Sequence, residues 1–221
     1  MKVSQQVYQQ KLSFLSVSAL DELFKVVTEN REKGVNGCII EAGCALGGSA
    51  VVIASAKSPE TSFYIYDTFN MIPPPSKKDG KDVHDFYEKI KAGGAPGIRG
   101  SKYYAYVENL YEKVRKIFLD FNLDPILNNI HLIQGDILDT MQVDCPVSFA
   151  HIDCDWYSSV MTCLERIWPN LVIGGTLVVD DYYAWSGCRE AVDEFLALRN
   201  KSEYTLIRKL RPHIIKRSNL A

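Results

Sequence analysis

The fold is decided by residues 38–56, which read CIIEAGCALGGSAVVIASA. An apolar run of strand length comes first, and a glycine-rich turn follows at residues 43–48. Small apolar residues then continue for the length of a short helix. A strand, a glycine turn and a helix in this order predict one unit of an α/β fold.

The rest of the chain repeats this alternation. Apolar strands are predicted at SFYIYD, HLIQGD, PVSFAHIDCD and GGTLVVDD, which end at residues 67, 136, 155 and 181. Strands that alternate with helices predict a mostly parallel sheet with helices on both faces. EYTLIRKL and HIIKR predict a C-terminal antiparallel hairpin.

Two segments stand apart from the alternation. Residues 1–36 are predicted as an N-terminal helical segment, and residues 37–221 as the main domain. Within that domain, residues 70–105 are rich in Pro, Gly and charge, which predicts a lid-like insertion at the edge of the sheet. A disordered surface loop is the alternative for this insertion.

Composition limits the possible partners of the chain. It has 221 residues, of which 25 are Lys or Arg and 27 are Asp or Glu. A chain so balanced is not expected to bind nucleic acid or an anionic membrane. No apolar run reaches the roughly 18 residues of a membrane span, and the start of the chain has no signal-peptide pattern, so a cytoplasmic protein is predicted. The basic residues near the C-terminus, including Arg211, are predicted to form a solvated face.

Six cysteines are scattered along the chain without a CxxC pair. This spacing predicts buried thiols of a reducing compartment, and it favours neither a disulfide framework nor a zinc site.

The glycine turn predicts a particular kind of ligand. Glycines let a ligand approach the backbone, and the following helix offers free N–H groups. A dinucleotide is disfavoured because Ala45 replaces the second motif glycine and Glu41 repels phosphate. A cationic, hydroxyl-rich ligand fits better, and S-adenosylmethionine is one. Asp67 is then placed to accept the ribose hydroxyls and Asp136 to face the adenine amine, whereas a tight turn without a ligand is the alternative.

Four carboxylates end two strands that are separated by one helix. Asp153 and Asp155 end the first strand, and Asp180 and Asp181 end the second. Such strands are normally neighbours, and like charges so close are costly unless a divalent cation balances them. Oxygen ligands favour Mg²⁺ over zinc. The alternative is that Asp155 caps a helix and Asp180 and Asp181 begin a loop.

A metal ion at this place suits methyl transfer to oxygen. An alcohol holds its proton tightly, and a cation at its oxygen stabilises the alkoxide and positions it for in-line attack. A nearby carboxylate or histidine then accepts the proton.

Several ordered blocks from residue 37 onward resemble the macrocin-type sugar O-methyltransferases. They are EAGCALGGSA, YDTFNMIPPP, GDILDT, HIDCDWYSS and GGTLVVDDYYAWSGCREAVDEF. The resemblance implies a class I methyltransferase fold, with a Rossmann-like sheet of seven strands, that uses S-adenosylmethionine and Mg²⁺. It further implies metal ligands at Asp153, Asp180 and Asp181, a general base at Asp155, and a cofactor site that includes Glu41, Gly43, Ser49, Asp67, Asp136 and Asp153.

Other residues complete the prediction. Cys154 and Trp156 stand where the family usually has Gly and Leu, which predicts a reshaped substrate pocket. His84, in the insertion, is a candidate to assist proton transfer, with plain surface placement as the alternative. His151 lies inside a predicted strand and is expected to be a hydrogen-bonded core histidine.

The sequence as a whole predicts a homodimeric O-methyltransferase that depends on S-adenosylmethionine and Mg²⁺. Its acceptor is expected to be a sugar-like or polyol hydroxyl of a small natural product, in antibiotic or other secondary metabolism. Two alternatives stay open at this point. One is a catechol-like phenolic O-methyltransferase, and the other is a catalytically silent partner subunit that binds S-adenosylmethionine.

Overall fold

The computed structural model describes residues 1–218. Seven strands form one sheet, and in chain order they are β1 (Cys38–Ala42), β2 (Phe63–Asp67), β3 (Ile130–Gln134), β4 (Val147–Ile152), β5 (Leu171–Val179), β6 (Tyr204–Arg208) and β7 (Pro212–Lys216). Their spatial order is β3-β2-β1-β4-β5-β7-β6. The first five strands pair in parallel, and β7 pairs antiparallel with both β5 and β6. The predicted class I methyltransferase sheet with its C-terminal hairpin is therefore confirmed.

Helices cover both faces of this sheet. They are α1 (Val3–Gln9), α2 (Val17–Glu32), α3 (Gly48–Ala56), α4 (Lys81–Lys91), α5 (Leu110–Asp120), α6 (Ile137–Thr140), α7 (Tyr157–Ile167) and α8 (Ser186–Ala197). Ile39 shares a core cluster with residues of α1, α2, α3 and α5, whereas its neighbour Ile40 shares one with residues of α6, α7 and α8. This follows from the two-residue period of a strand, which sends successive side chains to opposite faces. Among residues 1–218, no helix has the length and apolar character needed to cross a membrane.

The N-terminal helices pack onto the sheet domain beside the glycine turn. Val7 of α1 and Leu20 of α2 are fully buried in the same cluster as Val51 of α3. In the loop between α1 and α2, the carbonyl of Leu12 accepts a hydrogen bond of 3.1 Å from the N–H of Gly48. The N-terminal segment thus lies against the first turn of α3.

The insertion at residues 70–105 carries a small core of its own. Val83 and Ile90 of α4 are fully buried, and they share a cluster with Tyr103 and Trp156. The Trp156 indole N–H also donates to the carbonyl of Pro73 at 3.0 Å. The insertion is therefore tied to the residue that precedes α7.

The prediction of thiols is wrong for two of the six cysteines. Cys38, at the start of β1, and Cys145, just before β4, form a disulfide across 107 residues of chain. The parallel pairing of β1 with β4 brings them together, which no local spacing of cysteines reveals. The other four, Cys44, Cys154, Cys163 and Cys188, are buried thiols as predicted.

Candidate active site

Two neighbouring strands bring four aspartates to one edge of the sheet. Asp153 follows the last residue of β4, and Asp180 follows the last residue of β5. Oxygens of these two carboxylates and a ring nitrogen of His151 lie within 4.8 Å of one another. The N–H of Asp155 donates to Oδ2 of Asp181 at 3.2 Å. The prediction that these two strands are neighbours in the sheet is therefore confirmed.

The crowding of these acids changes their protonation. Burial raises the pKa of Asp153 well above its usual range, and the carboxylates of Asp181 and Asp155 raise it further. Burial, and then the Asp155 charge, raise the pKa of Asp181 in the same direction. Burial raises the pKa of Asp155 to about 7. The cluster therefore resists full ionisation unless a positive charge joins it.

One positive charge comes from the chain itself. Arg211, between β6 and β7, donates from Nε to Oδ1 of Asp180 and from Nη2 to Oδ2 at 3.2 Å. The prediction that Arg211 belongs to a solvated face is wrong, because the antiparallel pairing of β7 with β5 brings it to Asp180. Nothing in this basic stretch of sequence indicates that one of its arginines contacts an aspartate.

Beneath the acidic cluster lies a buried pair of polar residues. Nδ1 of His151 and Oε1 of Glu41 are 2.8 Å apart, and both side chains are inaccessible to solvent. Nε2 of His151 lies 3.7 Å from Oδ1 of Asp180. His151 is therefore the hydrogen-bonded core histidine that its strand position predicts. Glu41 contacts this histidine and does not line the cavity described below.

The glycine turn packs closely on the acidic loop. Gly43 and Gly47 have φ of 84° and 80°, which favours glycine at both positions. A Cβ at Gly43 would collide with the carbonyl oxygen of Asp153. Oδ2 of Asp67 accepts from the N–H groups of Cys44 at 2.7 Å and Ala45 at 3.0 Å. Asp67 therefore fixes the shape of the turn.

A cavity of about 280 Å³ opens beside this turn and the aspartates. Four parts of the chain line it: the loop at residues 12–15, the turn with Ser49, the insertion with Phe86, Tyr103 and Tyr104, and the acidic cluster with Trp185. The N-terminal loop was not predicted to take part. Its available signal was the group of apolar residues Leu12, Phe14 and Leu15, and Phe14 remains 54% exposed in the structure.

A second cavity, of about 40 Å³, lies next to the first and shares Gly43, Asp67 and Asp153 with it. Asp136 lines this smaller cavity, and Oδ1 of Asp136 also accepts from the N–H of Leu138 as the cap of α6. The structure thus brings Asp136 to the same edge as Asp67. Together these adjoining cavities form a groove along the carboxyl ends of the strands.

His84 takes no part in this groove. Its side chain is exposed, its Nε2 lies 3.1 Å from the carbonyl oxygen of Ser76, and it is absent from the lining of the large cavity. The insertion instead contributes aromatic rings, and Phe86 packs on Trp185 with ring centroids 4.9 Å apart.

The insertion also caps the two helices that follow the acidic loops. Oδ1 of Asp79 accepts from the N–H of Tyr157, the first residue of α7, at 2.8 Å. Asp82 accepts from the N–H of Ser186, the first residue of α8, at 3.0 Å. Asp155 makes no side-chain cap to α7, so the capping alternative for Asp155 is wrong.

The donor set fits a divalent cation. Asp153 and Asp180 bring carboxylate oxygens close together, Asp155 and Asp181 line the same cavity, and Arg211 offsets only one of the four charges. The buried Nε2 of His151, which has no hydrogen-bond partner among the described residues, also faces this cluster. Carboxylate oxygens with so little internal compensation are typical of a Mg²⁺ site.

Comparisons with known proteins identify relatives of this chain. The family model for macrocin O-methyltransferase (TylF) matches residues 7–206. The chain is 24% identical over 192 residues to demethyldecarbamoylnovobiocin O-methyltransferase of Streptomyces niveus. The matched residues cover 84% of this chain and 68% of the relative. It is 25% identical over 190 residues to 8-demethyl-8-(2,3-dimethoxy-alpha-L-rhamnosyl)-tetracenomycin-C 4'-O-methyltransferase of Streptomyces olivaceus. This match covers 83% of this chain and 67% of the relative.

Solved structures show the same fold. The O-methyltransferase NovP superposes with a TM-score of 0.76 at 21% identity, over 94% of this chain and 83% of that one. The calicheamicin methyltransferase CalS11 superposes with a TM-score of 0.64 at 17% identity, over 96% and 91%. The family model spans nearly the whole chain, including α2 and both acidic loops. The chain therefore belongs to the macrocin O-methyltransferase family, whose members are transferases that use S-adenosylmethionine.

Proposed function

We propose that this enzyme transfers a methyl group from S-adenosylmethionine to a sugar-like hydroxyl of a small natural product, with Mg²⁺ as a required ion. The observation that carries the proposal is the convergence of Asp153 and Asp180 beside the glycine turn, in a cavity that Asp181 also lines. The names of the two Streptomyces relatives describe O-methyltransferases of antibiotics, and one names a rhamnosyl acceptor. These names support a sugar hydroxyl as the acceptor and antibiotic biosynthesis as the setting.

The cofactor would be held along the groove. Gly43 leaves room for it next to Asp153, and Ser49 lies at the opposite end of the turn. Asp67 offers carboxylate oxygens to the ribose hydroxyls while it holds the turn, and Asp136 lies in the adjoining cavity, where an adenine amine would find an acceptor. Glu41 would act indirectly, through His151. When bound, S-adenosylmethionine supplies the methyl group and a neutral thioether leaving group.

Mg²⁺ would be held by Asp153, Asp180 and Asp181. When bound, it supplies Lewis-acid stabilisation of the acceptor oxygen as that oxygen loses its proton. Asp155 lines the same cavity, and it would accept the acceptor's proton as the general base. His84, outside the cavity lining, is left without a role in this mechanism. The aromatic residues of the insertion exclude water from the reacting groups.

A screen of sugar-bearing acceptors tests the proposal. Incubation with S-adenosylmethionine and Mg²⁺ should add the mass of one methylene unit to an acceptor, and EDTA should abolish the gain. Methylation of phenolic diols alone, with a rate that rises steeply toward pH of about 10, would favour the catechol-like alternative. Cofactor binding without turnover on any acceptor would indicate the silent partner subunit.

Two further predictions concern the protein as a whole. We infer a homodimer, which light scattering on the purified protein would test. We also retain a cytoplasmic setting as a prediction, which fractionation of the producing cells would test.

A further inference from the structure

The geometry points to a nitrogen ligand in the metal site: we propose that Nε2 of His151 binds the divalent ion together with Asp153 and Asp180, and that Glu41 orients this histidine. The family resemblance implies carboxylate ligands alone. A nitrogen ligand changes the class of ion that the site prefers, from Mg²⁺ to Mn²⁺ or Co²⁺, with Mg²⁺ still accepted at higher concentration. This inference rests on the proposed function, because it concerns the ion of the same site.

The distances among the possible ligand atoms are the first argument. Among the described residues, one group of potential metal ligands has all its ligand atoms within 4.8 Å of one another, and its members are His151, Asp153 and Asp180. Bonds of about 2.1 Å to an octahedral ion place neighbouring ligand atoms about 3 Å apart and opposite ones about 4 Å apart. The group is therefore close to the size of one coordination sphere.

The sheet holds this group in place. Strand β4 pairs with β1 on one side and with β5 on the other, and its residue His151 lies opposite Glu41 of β1. The N–H of Asp180 donates to the carbonyl of Ile152 at 2.9 Å, which ties the loop after β5 to the end of β4. Because these contacts belong to the backbone of the sheet, the histidine and the acids are positioned before any ion binds.

The state of the histidine ring is the second argument. The Glu41 carboxylate accepts from Nδ1 at 2.8 Å, so Nδ1 carries the proton and Nε2 carries a lone pair. Nε2 is buried and has no hydrogen-bond partner among the described residues, and its distance of 3.7 Å from Oδ1 of Asp180 is too long for a hydrogen bond. A buried lone pair beside carboxylate oxygens is unfavourable unless a cation lies between them. A divalent ion at this point gives Nε2 the partner that it lacks.

Glu41 completes a row of contacts behind the ring. Its side chain is inaccessible to solvent, and its Oε2 has no hydrogen-bond partner among residues 1–218. Burying a carboxylate is costly, and a metal ion bound to the far nitrogen of the imidazole offsets part of that cost. Histidine ligands of metals commonly donate their other N–H to a carboxylate, which fixes the tautomer and the orientation of the ring. The pair of Glu41 and His151 has this arrangement.

The histidine reaches the proposed ion from the side away from the cavity. Asp153 and Asp180 line the large cavity, whereas His151 and Glu41 are absent from its lining. A ligand on the buried side leaves the positions on the cavity side open for an acceptor oxygen or water, as a catalytic metal site requires. Arg211 satisfies the carboxylate of Asp180 but leaves Nε2 of His151 without a partner.

Pulsed electron paramagnetic resonance on bound Mn²⁺ tests the ligand directly. In metal-free protein titrated with Mn²⁺, we expect the echo modulation of a directly bound ¹⁴N nucleus. Incorporation of ¹⁵N-histidine should remove this ¹⁴N signal from an otherwise unchanged protein. Bound Mn²⁺ without nitrogen modulation, or ¹⁴N modulation that survives the labelling, would overturn the inference and leave the proposed function standing. Absence of bound Mn²⁺ would contradict both.

Substitutions identify the histidine. His151→Gln should lose the nitrogen signal, whereas His131→Gln, at an exposed histidine of β3, is the matched control and should keep it. If His151→Gln does not fold, retention of the signal in His84→Gln, His131→Gln and His213→Gln makes the same assignment, because the chain has four histidines. Loss of the signal in one of these three variants, or its persistence in His151→Gln, would overturn the inference.

Metal affinities provide a second measurement. In His151→Gln, the affinity for Mn²⁺ should fall about tenfold more than the affinity for Mg²⁺, because Mg²⁺ gains little from a nitrogen ligand. Glu41→Gln should lower Mn²⁺ affinity about tenfold and keep the nitrogen signal, and the exposed Glu60→Gln is its control. Equal losses for the two ions would contradict the preference for Mn²⁺, and unchanged affinity in Glu41→Gln would remove Glu41 as a positioning residue.

Discussion

The backbone N–H of Asp155 donates a 3.2 Å hydrogen bond to Oδ2 of Asp181 and so ties the loop after β4 to the loop after β5. These loops carry the four aspartates of the site. Because one acidic side chain orients the backbone next to another, the arrangement of the cluster depends on the ionisation of its members.

Asp155→Asn should lower turnover by about a hundredfold or more while cofactor binding stays within about twofold of the wild type. The amide keeps the size of the side chain but cannot accept the acceptor's proton. Steady-state kinetics and calorimetry measure the two effects. The exposed Asp139→Asn is the matched control. Wild-type turnover in Asp155→Asn would remove this residue as the base.

Stability of the metal-free protein should fall as the pH rises from about 4 to about 7. The folded state raises the pKa of Asp155 from 3.8 to about 7, so the folded protein binds more protons than the unfolded chain in this window. Asp155 therefore contributes its stability below pH of about 4 and loses it as the pH passes about 7. Thermal unfolding without metal should show this slope. Asp155→Asn should make it shallower, whereas Asp153 and Asp181, whose pKa values are also raised, should keep part of it. A metal-free wild type that gains stability across the window would contradict the assignment.

Asp67→Ala should weaken S-adenosylmethionine binding by about tenfold or more. The substitution removes the proposed ribose acceptor and also the three contacts with the N–H groups of Cys44, Ala45 and Phe69. Calorimetry measures the affinity, and unfolding by denaturant measures how far the loss of these contacts lowers the free energy of unfolding. Asp85→Ala, an exposed aspartate on α4, is the control. Unchanged affinity in Asp67→Ala would place the cofactor elsewhere.

Asp79→Ala should destabilise the protein by about 1 kcal/mol and loosen the insertion. Asp79 is buried, and it joins Ser76 of the insertion to the first N–H of α7. Limited proteolysis should cut residues 76–100 faster in this variant than in Asp85→Ala, whose side chain pairs only with Lys81 on the same helix. Equal cleavage of the two variants would show that Asp79 does not hold the insertion.

The sheet and the gathering of the acids were predictable from the sequence. Apolar strands that end in Asp67, Asp153 and Asp180 determine which edge carries the carboxylates, because parallel strands point the same way. The contact between Arg211 and Asp180 was not predictable, since it depends on where a C-terminal hairpin pairs. The same holds for Phe14, whose loop reaches the cavity through packing of α1 and α2 on α3.

The position of Glu41 shows a different limit. Its place before the first glycine predicted a contact with the cofactor. In the structure its side chain is buried and contacts His151. The partner residue lies 110 positions away, on the neighbouring strand β4. A single sequence shows which residue ends a strand, but it does not show which buried polar group lies beside that residue on the neighbouring strand of the sheet.

The central claim is that the acidic ends of β4 and β5 share one divalent ion. Titration of Mn²⁺ into the metal-free protein, followed by electron paramagnetic resonance, tests it most directly, because no acceptor is needed. We predict one bound ion per chain, displaced by Mg²⁺, with affinity lowered about tenfold or more in both Asp153→Asn and Asp181→Asn. No bound ion in the wild type, or unchanged affinity in both variants, would contradict the account.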